Sequence, residues 1–531
     1  MEHRLLDFFT REVADKAGIK FWDKITDSPV TGIEYDSRKV KNGNLFFALP
    51  GLHTDGSLFI DDAIKHGASV IVHENENIEK KDGITYLKAE SSRFAMSPIS
   101  AAFYGNPSRS MFVTGVTGTE GKSTTVFLIW QLLTLLGKKA GFFSTVQQCF
   151  GSEVRYNSEH QTTPEAPVVQ RFLSEMADNG CEFAVVEASS HGLSKFTNRL
   201  GDVEFSSAVL TNVTHEHLEF HGTWEQYRDD KANLFRALDN YKYCGASASF
   251  EPFGVINADD KSCGYFASVT RQKTFTFSAA GTDANLILEA IESSASGNWY
   301  MVFIPALNER FEIRDTLPGS FNARNVLASL LVVSNLLKLP VREIAQFVKR
   351  LKPVRGRMTA INKGQPFEVV VDYAHTPSSF ITILPPLRSR LDKTGGRIIS
   401  LFGSAGERDT QKRAEQGRIA ADYSDIIIAT DEDPRGENPM GILEEIAKGV
   451  ENRVSVSNTE RHKNFVRGEN LFLIPDRLSA IRKSFSLAGK GDLVLLLGKG
   501  HENSIIYKDH VMDFDEITEA EKALGEMGYG L

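Results

Sequence analysis

The stretch "GVTGTEGKST" (115–124) contains the residue types that bind nucleotide phosphates. Successive backbone N–H groups of a tight glycine loop hold phosphate oxygens, and the N-terminus of a following helix adds a positive dipole. Lys122 would reach the terminal phosphates, and the hydroxyl of Ser123 or Thr124 would bind Mg²⁺. The strict G-x-x-x-x-G-K-[ST] pattern is not met, because Val116 stands at its first glycine position. A glycine-rich turn without a ligand is the alternative.

Two further stretches contain metal-binding residue types. "EFAVVEASSHGL" (182–193) is typical of a strand ending at Glu187, and a carboxylate beside a phosphate loop is a natural Mg²⁺ ligand. "VLTNVTHEHLEFHG" (209–222) indicates a second strand, followed by a polar segment. That segment contains His215, Glu216, His217, Glu219 and His221. Three histidines suggest zinc, but their spacing is not H-E-x-x-H and no cysteine is near. A solvated polar loop is the other interpretation.

A lysine follows in a segment that reads as a helix. "TWEQYRDDKANLF" (223–235) opens with Thr223 and Gln226 at the spacing of a capping box, which predicts a helix start. Lys231 lies two turns into this helix. A position on a solvated face is the default interpretation for a lone lysine.

These residues need strands and helices to position them. Apolar runs alternate with helical patterns, which predicts an α/β fold with mostly parallel sheets. Residues 111–137 indicate a strand, the glycine loop and an amphipathic helix that ends at Gly137. Beyond residue 353, four apolar runs lead directly into glycine or charge: "FEVVVDYAHTP", "RIISLFGSAGERD", "DIIIATDEDPR" and "DLVLLLGKGHE". Parallel sheets place ligands at such carboxyl ends.

The chain length and composition bound the class of protein. The 531 residues suggest three domains, at ~100–200 residues each. We predict domains at 1–108, 109–352 and 353–531. Hydrophobic content of 41% and charged content of 24% are ordinary for a globular protein. A net charge of −9 provides no basic field for nucleic acid or an anionic membrane.

The N-terminus and the cysteines indicate the compartment. "MEHRLLDFFTREV" lacks the apolar core of a signal peptide, and no apolar stretch approaches the ~20 residues that span a bilayer. The cysteines form no C-x-x-C pair, which is typical of free thiols in a reducing compartment. They are Cys149, Cys181, Cys244 and Cys263. We expect a cytoplasmic monomer without nucleic-acid binding or membrane insertion.

The variant loop T-G-T-x-G-K-[ST]-T resembles the ATP loop of the Mur ligase family, the amide-forming enzymes that build the peptidoglycan stem peptide. The family also shows E-x-S-S-H-G, then T-N-x-x-x-D-H-L-D-x-H-G, then a helix with a lysine. Glu187, His217 and Lys231 match these positions, while Glu216 replaces the usual aspartate. The resemblance implies a Lys231 carbamate formed from CO₂. It also implies two Mg²⁺, held by Ser123, Glu187, His217 and that carbamate, with Lys122 as a further catalytic residue.

Other segments resemble the nucleotide contacts of the family: "SFNARN" (320–325), "GRM" (356–358) and "DYAHTP" (372–377). They would add to the phosphate loop in binding ATP. The implied ATP contacts are Gly118, Thr119, Glu120, Gly121, Lys122, Ser123, Thr124, Asn325, Arg357, Asp372 and His375.

Two segments resemble the acceptor contacts of family members that add the third stem residue. They are "EYDSRKVKNGNLFFALPGLHTDG" (34–56), for which an ordinary strand and turn is the alternative, and "HQTTPEAP" (160–167). The implied contacts to UDP-MurNAc-L-Ala-D-Glu are Ser37, His53, Thr54, Thr162, Thr163, Ser189 and Arg199. The region before Arg199 is longer than the family pattern.

The amino-acid pocket would include Arg408, Asp433, Arg435, Gly498 and Glu502. Where this chain has D-E-D-P-R, diaminopimelate-adding members have D-N-P-R, whose arginine holds a carboxylate by bidentate hydrogen bonds. Arg435 is kept and favours diaminopimelate. Asp433 replaces the asparagine and should attract an amine, which favours lysine or ornithine. The sequence leaves the three amino acids open.

The resemblance implies an N-terminal α/β uridine-binding domain, a central P-loop ATPase-like domain with a parallel sheet, and a C-terminal Rossmann-like domain. The implied reaction joins meso-diaminopimelate, L-lysine or L-ornithine to UDP-MurNAc-L-Ala-D-Glu through an acyl phosphate. The alternatives are a folylpolyglutamate synthetase-like ligase and a non-catalytic P-loop binding module. The uridine-like block and D-x-D-P-R disfavour the first, and the complete set of catalytic residues disfavours the second.

Overall fold

The computed structural model describes residues 3–20, 25–51, 55–157, 159, 161–214, 218–241, 251–294, 297–451 and 464–530. The chain divides into two compact units. The first comprises Met1–Glu292, Trp299–Asp315 and Phe321–Leu351, and it contains a two-stranded pair, a four-stranded sheet and most of an eleven-stranded sheet. The second comprises Ser293–Asn298, Thr316–Ser320 and Lys352–Leu531.

The N-terminal sheet is parallel and apolar on both faces. Its strands follow the chain order Gly32–Glu34, Asn44–Phe47, Val70–His73 and Thr85–Lys88. Leu45 and Phe47 pack in one core with the helix Ser92–Phe103, whereas Phe46 faces a second core with the helix Ile60–Lys65. This alternation follows from the two-residue period of a strand. Nearby are the antiparallel pair His3–Arg4 and Pro29–Val30 and the helices Leu5–Phe8 and Arg11–Lys16.

The central sheet brings three strand ends to the phosphate loop. Phe112–Thr117 lies between two parallel strands, Phe183–Glu187 and Ser207–Leu210. Glu187 is paired with Val116, and Leu210 with Thr117. From one edge to the other the strands are Arg155–Tyr156, Gln147–Cys149, Ala140–Phe143, Phe183–Glu187, Phe112–Thr117, Ser207–Leu210, Phe253–Asn257, Lys273–Ser278, Leu286–Ser294, Gly297–Ile304 and Glu309–Asp315.

The phosphate-loop helix is Lys122–Leu135, and Gly137, with a φ of +75°, follows its end as predicted. The predicted amphipathic character is wrong. The helix is buried on nearly all sides because it packs between the central sheet and the helix Asn322–Leu337. Other helices of this unit are Ala166–Asp178, Ser190–Leu193, Leu218–His221, Cys263–Ser268 and Val341–Ala345.

The predicted helix start at Thr223 is confirmed for the helix Trp224–Ala237. Thr223 Oγ1 accepts the backbone N–H of Gln226 at 3.1 Å. The side chain of Gln226 instead donates to Asp230 Oδ1 at 3.1 Å, so it supports the helix face rather than completing the capping box.

The second unit contains the four strands that the sequence predicted beyond residue 353. In sheet order the strands are Thr359–Ile361, Glu368–Asp372, Leu493–Leu497, Ile398–Phe402, Ile426–Ala429 and Leu471–Leu473, parallel except for the first pair. The accompanying helices are Pro377–Asp392, Gln411–Tyr423, Pro439–Glu451, Arg477–Leu487 and Glu516–Glu526. A hairpin-like pair, Ser504–Ile506 with Val511–Asp513, follows the strand Leu493–Leu497. The carboxyl ends therefore present the glycine and charged loops at one edge.

Within the described residues, no helix has both the length and the apolar character needed to cross a membrane. The described cysteines, Cys149, Cys181 and Cys263, are free thiols.

Candidate active site

The glycine loop of residues 115–124, the phosphate loop, is held in shape by the residues that follow the strand Ser207–Leu210. Asn212 accepts the backbone N–H of Thr119 at its carbonyl oxygen (2.8 Å) and that of Glu120 at its side-chain oxygen (2.9 Å). Thr211 Oγ1 donates to the carbonyl oxygen of Glu120 at 2.6 Å. A Cβ atom on Gly118, whose φ is +149°, would overlap Thr211 Oγ1. The close approach of these two strand ends therefore requires glycine at this position.

The two reactive side chains after Gly121 face different partners. Lys122 Nζ donates to the carbonyl oxygen of Thr119 at 2.8 Å and so lies over its own loop. Ser123 is buried in the first turn of the helix, and its hydroxyl donates to Glu187 Oε2 at 2.8 Å. Lys122, predicted to bind phosphate, and Ser123, predicted to bind the metal, are therefore neighbours at the end of the phosphate loop.

Glu187 is a buried carboxylate surrounded by hydroxyl and amide donors. It accepts the backbone N–H of Thr145 at 2.8 Å and its hydroxyl at 3.0 Å. The hydroxyl of Ser123 and the carboxylate of Glu187 form an all-oxygen donor set of the kind that Mg²⁺ prefers. In the part of the chain that the structure describes, no group of three or more His, Cys, Asp or Glu side chains could hold a metal.

Lys231 is not a surface lysine, and the default interpretation is wrong. Its side chain is buried, with the residue only 2% exposed. Nζ donates to the carbonyl oxygen of Gly118 at 2.8 Å and lies 4.2 Å from the centre of the Tyr227 ring. The capped helix Trp224–Ala237 thus carries this amine directly to the phosphate loop.

The histidine-rich segment is described only in part. His215, Glu216 and His217 lie outside the described residues, as does the side chain of Glu219. His221 is buried, with Nδ1 2.8 Å from Asp230 Oδ2 and Nε2 3.0 Å from Ser190 Oγ. Both ring nitrogens are therefore engaged in a link between helices, so neither the zinc nor the solvated-loop interpretation holds for His221.

Three predicted acceptor contacts meet beside Glu187. Thr163 Oγ1 donates to the carbonyl oxygen of Glu187 and accepts the backbone N–H of Ser189, both at 3.0 Å. Arg199 donates to the carbonyl oxygen of Thr163 and to Glu165 Oε1, both at 2.9 Å. The threonine segment is thereby fixed to the strand end that carries Glu187.

The other predicted acceptor contacts are less defined. Thr162 is half-buried next to Thr163. Ser37 begins the 3₁₀ turn Ser37–Lys39, and its carbonyl oxygen is 3.0 Å from His66 Nδ1. No contact within the described residues joins Ser37 to the Thr163 cluster. His53 and Thr54 lie outside the described residues.

Asn325 contacts the start of the helix that follows the phosphate loop. Its Oδ1 accepts the hydroxyl of Thr125 at 3.2 Å and lies 2.6 Å from where a Cβ atom on Gly121 would stand. Its Nδ2 donates to Asn322 Oδ1 at 2.9 Å. The contact of Asn325 with ATP that the resemblance implies stays a prediction.

In the second unit, Asp372 is a buried carboxylate at a strand end. It accepts the backbone N–H groups of Met358 at 2.7 Å and Ala374 at 2.8 Å. Burial raises its pKa above the ordinary range, although nearby Arg357 and these hydrogen bonds act in the opposite direction.

Arg357 and His375 contact the same tyrosine. The guanidinium of Arg357 lies 4.6 Å from the centre of the Tyr373 ring, and His375 Nδ1 lies 2.8 Å from the carbonyl oxygen of Tyr373. Burial, assisted by Lys412, lowers the pKa of His375 to about 4, so its imidazole is neutral at physiological pH. The predicted nucleotide residues of this unit therefore form one cluster.

The predicted amino-acid pocket contains a buried lysine that sequence reasoning missed. Lys499 Nζ donates to Asp433 Oδ1 at 2.9 Å and to Glu502 Oε2 at 2.5 Å. Asp433 Oδ1 also accepts the backbone N–H of Ile506 at 3.0 Å. The two predicted carboxylates are thus brought together, but by an ammonium group of the chain itself. The sequence feature that could have identified Lys499 is its position inside "GKGHE", directly after an apolar strand.

Arg435 and Gly498 border the same loops. Arg435 has a φ of +53°, its N–H donates to the carbonyl oxygen of Ile506 at 2.9 Å, and its Nε is buried without a hydrogen-bond partner in the described part of the chain. A Cβ atom on Gly498 would lie 3.1 Å from Glu432 Oε2. Arg408 is exposed, and no contact within the described ranges joins it to these residues.

The sequence did not indicate the buried acid Glu516 or the buried Arg477, and Glu432 of the predicted "DEDPR" loop had no separate role. Glu432 is 6% exposed, and its Oε2 has no hydrogen-bond partner among the described residues. Arg477 is fully buried, pairs with Glu516 at 2.8 Å, and donates to the carbonyl oxygens of Asp431 and Leu497. Arg477 therefore ties "DEDPR" to "GKGHE", a long-range role that no local pattern signals.

A phosphate loop at a parallel sheet, with a buried hydroxyl, carboxylate and lysine around it, defines a nucleotide-binding enzyme of the P-loop α/β class. Family models match three successive segments: "Mur ligase family, catalytic domain" over residues 29–103, "Mur ligase middle domain" over 116–333, and "Mur ligase, glutamate ligase domain" over 356–500. The chain belongs to the Mur ligase family. It therefore has the family's three-domain architecture and is an ADP-forming ligase that makes carbon–nitrogen bonds.

Relatives match the chain almost from end to end. UDP-N-acetylmuramyl-tripeptide synthetase of Treponema denticola is 51% identical, with 94% of each chain covered. UDP-N-acetylmuramoyl-L-alanyl-D-glutamate--2,6-diaminopimelate ligase of Clostridium tetani is 34% identical, covering 95% of this chain and 97% of the relative. A solved structure of a ligase with that second name has a TM-score of 0.60 and 26% identity, covering 94% of this chain and 96% of its own.

Proposed function

We propose that this enzyme joins a diamino acid to the D-Glu γ-carboxylate of UDP-MurNAc-L-Ala-D-Glu in peptidoglycan synthesis. The names of relatives at 51% and 34% identity support this reaction over a folylpolyglutamate synthetase-like one. The observation that carries the proposal is the meeting of Ser123, Glu187 and Lys231 at one phosphate loop.

The reaction needs activation because a carboxylate is a poor acylating agent. A γ-carboxylate oxygen attacks the γ-phosphorus of ATP, ADP leaves, and an acyl phosphate forms. The amine of the diamino acid then attacks the acyl carbon, loses a proton and expels inorganic phosphate. The main task of the protein is to position these groups and to neutralise charge.

The phosphate-loop N–H groups and Lys122 bind the phosphates, and Asn325, Arg357, Asp372 and His375 complete the nucleotide contacts. Mur ligases as a family use ATP and Mg²⁺. We assign two Mg²⁺ to Ser123, Glu187, His217 and a Lys231 carbamate, and the bound ions would stabilise the charge of the transferred phosphoryl group. The buried oxygen donors of Ser123 and Glu187 fit this role.

The remaining predicted residues bind the two other substrates. Thr162, Thr163, Ser189 and Arg199 hold the peptidyl part of the acceptor beside Glu187, while Ser37, His53 and Thr54 contact the UDP moiety. Arg408, Asp433, Arg435, Gly498 and Glu502 form the diamino-acid pocket. The contacts between Thr163, Ser189, Arg199 and the Glu187 strand end support the first assignment.

We also propose a cytoplasmic monomer, since ATP and a UDP-linked acceptor are cytoplasmic metabolites. Light scattering of the purified protein should give a mass close to the 58.9 kDa of one chain. A mass twice that value would contradict the monomer.

The test is phosphate release in the presence of ATP, Mg²⁺, UDP-MurNAc-L-Ala-D-Glu and one of L-lysine, L-ornithine or meso-diaminopimelate. Release should require both the acceptor and an amino acid, and mass spectrometry should show the UDP-linked tripeptide. No release with any of the three amino acids would exclude the proposal.

A further inference from the structure

The Asp433 carboxylate is already engaged by donors of the chain itself. Its Oδ1 accepts Lys499 Nζ at 2.9 Å and the backbone N–H of Ile506 at 3.0 Å. The exposed fractions are 7% for Asp433 and 1% for Lys499. Bulk water therefore screens this ion pair little, and the pair is fixed by packing rather than by surface attraction.

Lys499 is held as an ammonium by two carboxylates. Burial by itself lowers its pKa, but Glu502 and Asp433 outweigh burial and the net shift of the pKa is upward. Its second bond, to Glu502 Oε2 at 2.5 Å, fixes the amine between the two acids. The ammonium offsets the charge of one acid, so Asp433, Lys499 and Glu502 together carry one net negative charge rather than two.

We propose that Lys499 masks the charge of Asp433, which means that it weakens the electrostatic effect of this carboxylate on a bound amino acid. Lys499 is thereby the specificity-determining residue of the diamino-acid pocket. The ammonium of Lys499 then offsets the charge of Asp433, so this acid attracts a substrate amine and repels a substrate carboxylate less than it would alone. Discrimination between lysine, ornithine and diaminopimelate depends on whether the ammonium of Lys499 stays in place. This inference rests on the proposed function and revises the role predicted for Asp433 from the sequence.

A double-mutant cycle tests the mask. We would measure kcat/KM for L-lysine, L-ornithine and meso-diaminopimelate in the wild type, Asp433→Asn, Lys499→Met and the double variant. Lys499→Met should lower the ratio of diaminopimelate to lysine use by about tenfold or more, because the charge of Asp433 is then no longer offset. The double variant loses one charge of each sign, so its ratio should return to within about twofold of the wild type.

Either of two results would overturn the mask. One is an unchanged ratio in Lys499→Met, and the other is a double variant whose ratio stays as low as that of Lys499→Met. If Lys499→Met does not fold, Lys499→Gln, which keeps a polar side chain between the two acids, takes its place in the cycle with the same expected ratios. Absence of ligation with all three amino acids in the wild type would instead defeat the proposed function.

A matched control distinguishes the effect of charge in the pocket from the general effect of losing a buried ion pair. Arg388 donates to Asp425 at 2.8 Å, and this pair lies at the amino end of the strand Ile426–Ala429, away from the loops at its carboxyl end. Arg388→Met should lower the melting temperature and leave the diaminopimelate-to-lysine ratio unchanged. If Arg388→Met changes the ratio as much as Lys499→Met does, destabilisation rather than masking accounts for the effect.

Discussion

The side-chain amine of Lys231 donates to the carbonyl oxygen of Gly118 at 2.8 Å, across 113 positions of sequence. A buried lysine beside a phosphate loop is unusual, because burial of an ammonium is unfavourable unless partners surround it. The contact places one nitrogen where phosphate and metal would meet. This position and the family resemblance support the carbamate proposed for Lys231.

Lys231→Ala should abolish ligation, since it removes the oxygen ligand that the carbamate would supply. Added acetate or formate should restore part of the activity by providing a carboxylate in the same space. The measurement is initial phosphate release with and without the added acid. Lys261→Ala, at an exposed lysine of the same unit, is the control and should behave as the wild type. Full activity of Lys231→Ala would remove Lys231 from the site.

Glu187→Gln should weaken Mg²⁺ binding, because an amide replaces a buried carboxylate that contacts Ser123. We expect the Mg²⁺ concentration for half-maximal activity to rise about tenfold or more. Glu182→Gln, at an exposed acid just before the same strand, is the matched control. An unchanged Mg²⁺ dependence in Glu187→Gln would show that the carboxylate is not a metal ligand.

Gly118→Ala should prevent nucleotide binding, since the added methyl group would overlap Thr211 Oγ1 in the closed loop. Gly137 also has a positive φ, +75°, but nothing lies within 4 Å of its Cβ position. Gly137→Ala should therefore cost only about 1 kcal/mol of stability and leave ATP binding intact. Fluorescent-nucleotide titration and thermal unfolding would separate the two effects, and equal binding by both variants would argue against a phosphate loop.

Asp431→Asn should change how stability depends on pH. Burial raises the pKa of Asp431 from 3.8 to about 6, and Tyr507 donates to it at 3.2 Å. The folded state therefore holds an extra proton between about pH 4 and 6, so this acid reduces stability as pH rises through that window. Removing it should make the free energy of unfolding at pH 7 larger relative to pH 4, by about 1–2 kcal/mol.

His375, in the same unit as Asp431, makes stability depend on pH with the opposite sign. Its folded-state pKa of about 4 lies below the ordinary 6.5, so the unfolded state binds more protons between these values and stability rises with pH there. His375→Gln should flatten that rise, whereas Asp431→Asn should steepen it. Chemical denaturation at pH 4, 5, 6 and 7 measures both, and changes of the same sign would contradict these pKa shifts.

The features that could be predicted from the sequence are local ones. The strand, glycine loop and helix around Lys122 follow each other within the chain, and so do the apolar strands that end in charged loops. The failed prediction of an amphipathic helix has a physical reason. Ser123, Thr125 and Gln131 are polar but buried, so their pattern imitates a solvated face.

The features that the sequence did not reveal depend on long-range pairing. Lys499 and Asp433 are 66 positions apart, and Arg477 and Glu516 are 39 apart. Charged residues of this kind normally imply exposure, and only their partners make burial possible. The pairing of Lys499 with Asp433 is therefore visible only in the folded sheet, where the two strand ends lie at the same edge.

The most direct test of the central claim is transfer of labelled oxygen. The acceptor would be prepared with ¹⁸O in both oxygens of the D-Glu γ-carboxylate and turned over with ATP, Mg²⁺ and a diamino acid. An acyl phosphate passes one of these oxygens to the released phosphate, so one ¹⁸O atom per released phosphate is expected by mass spectrometry. Tripeptide formation with unlabelled phosphate would contradict the acyl-phosphate reaction.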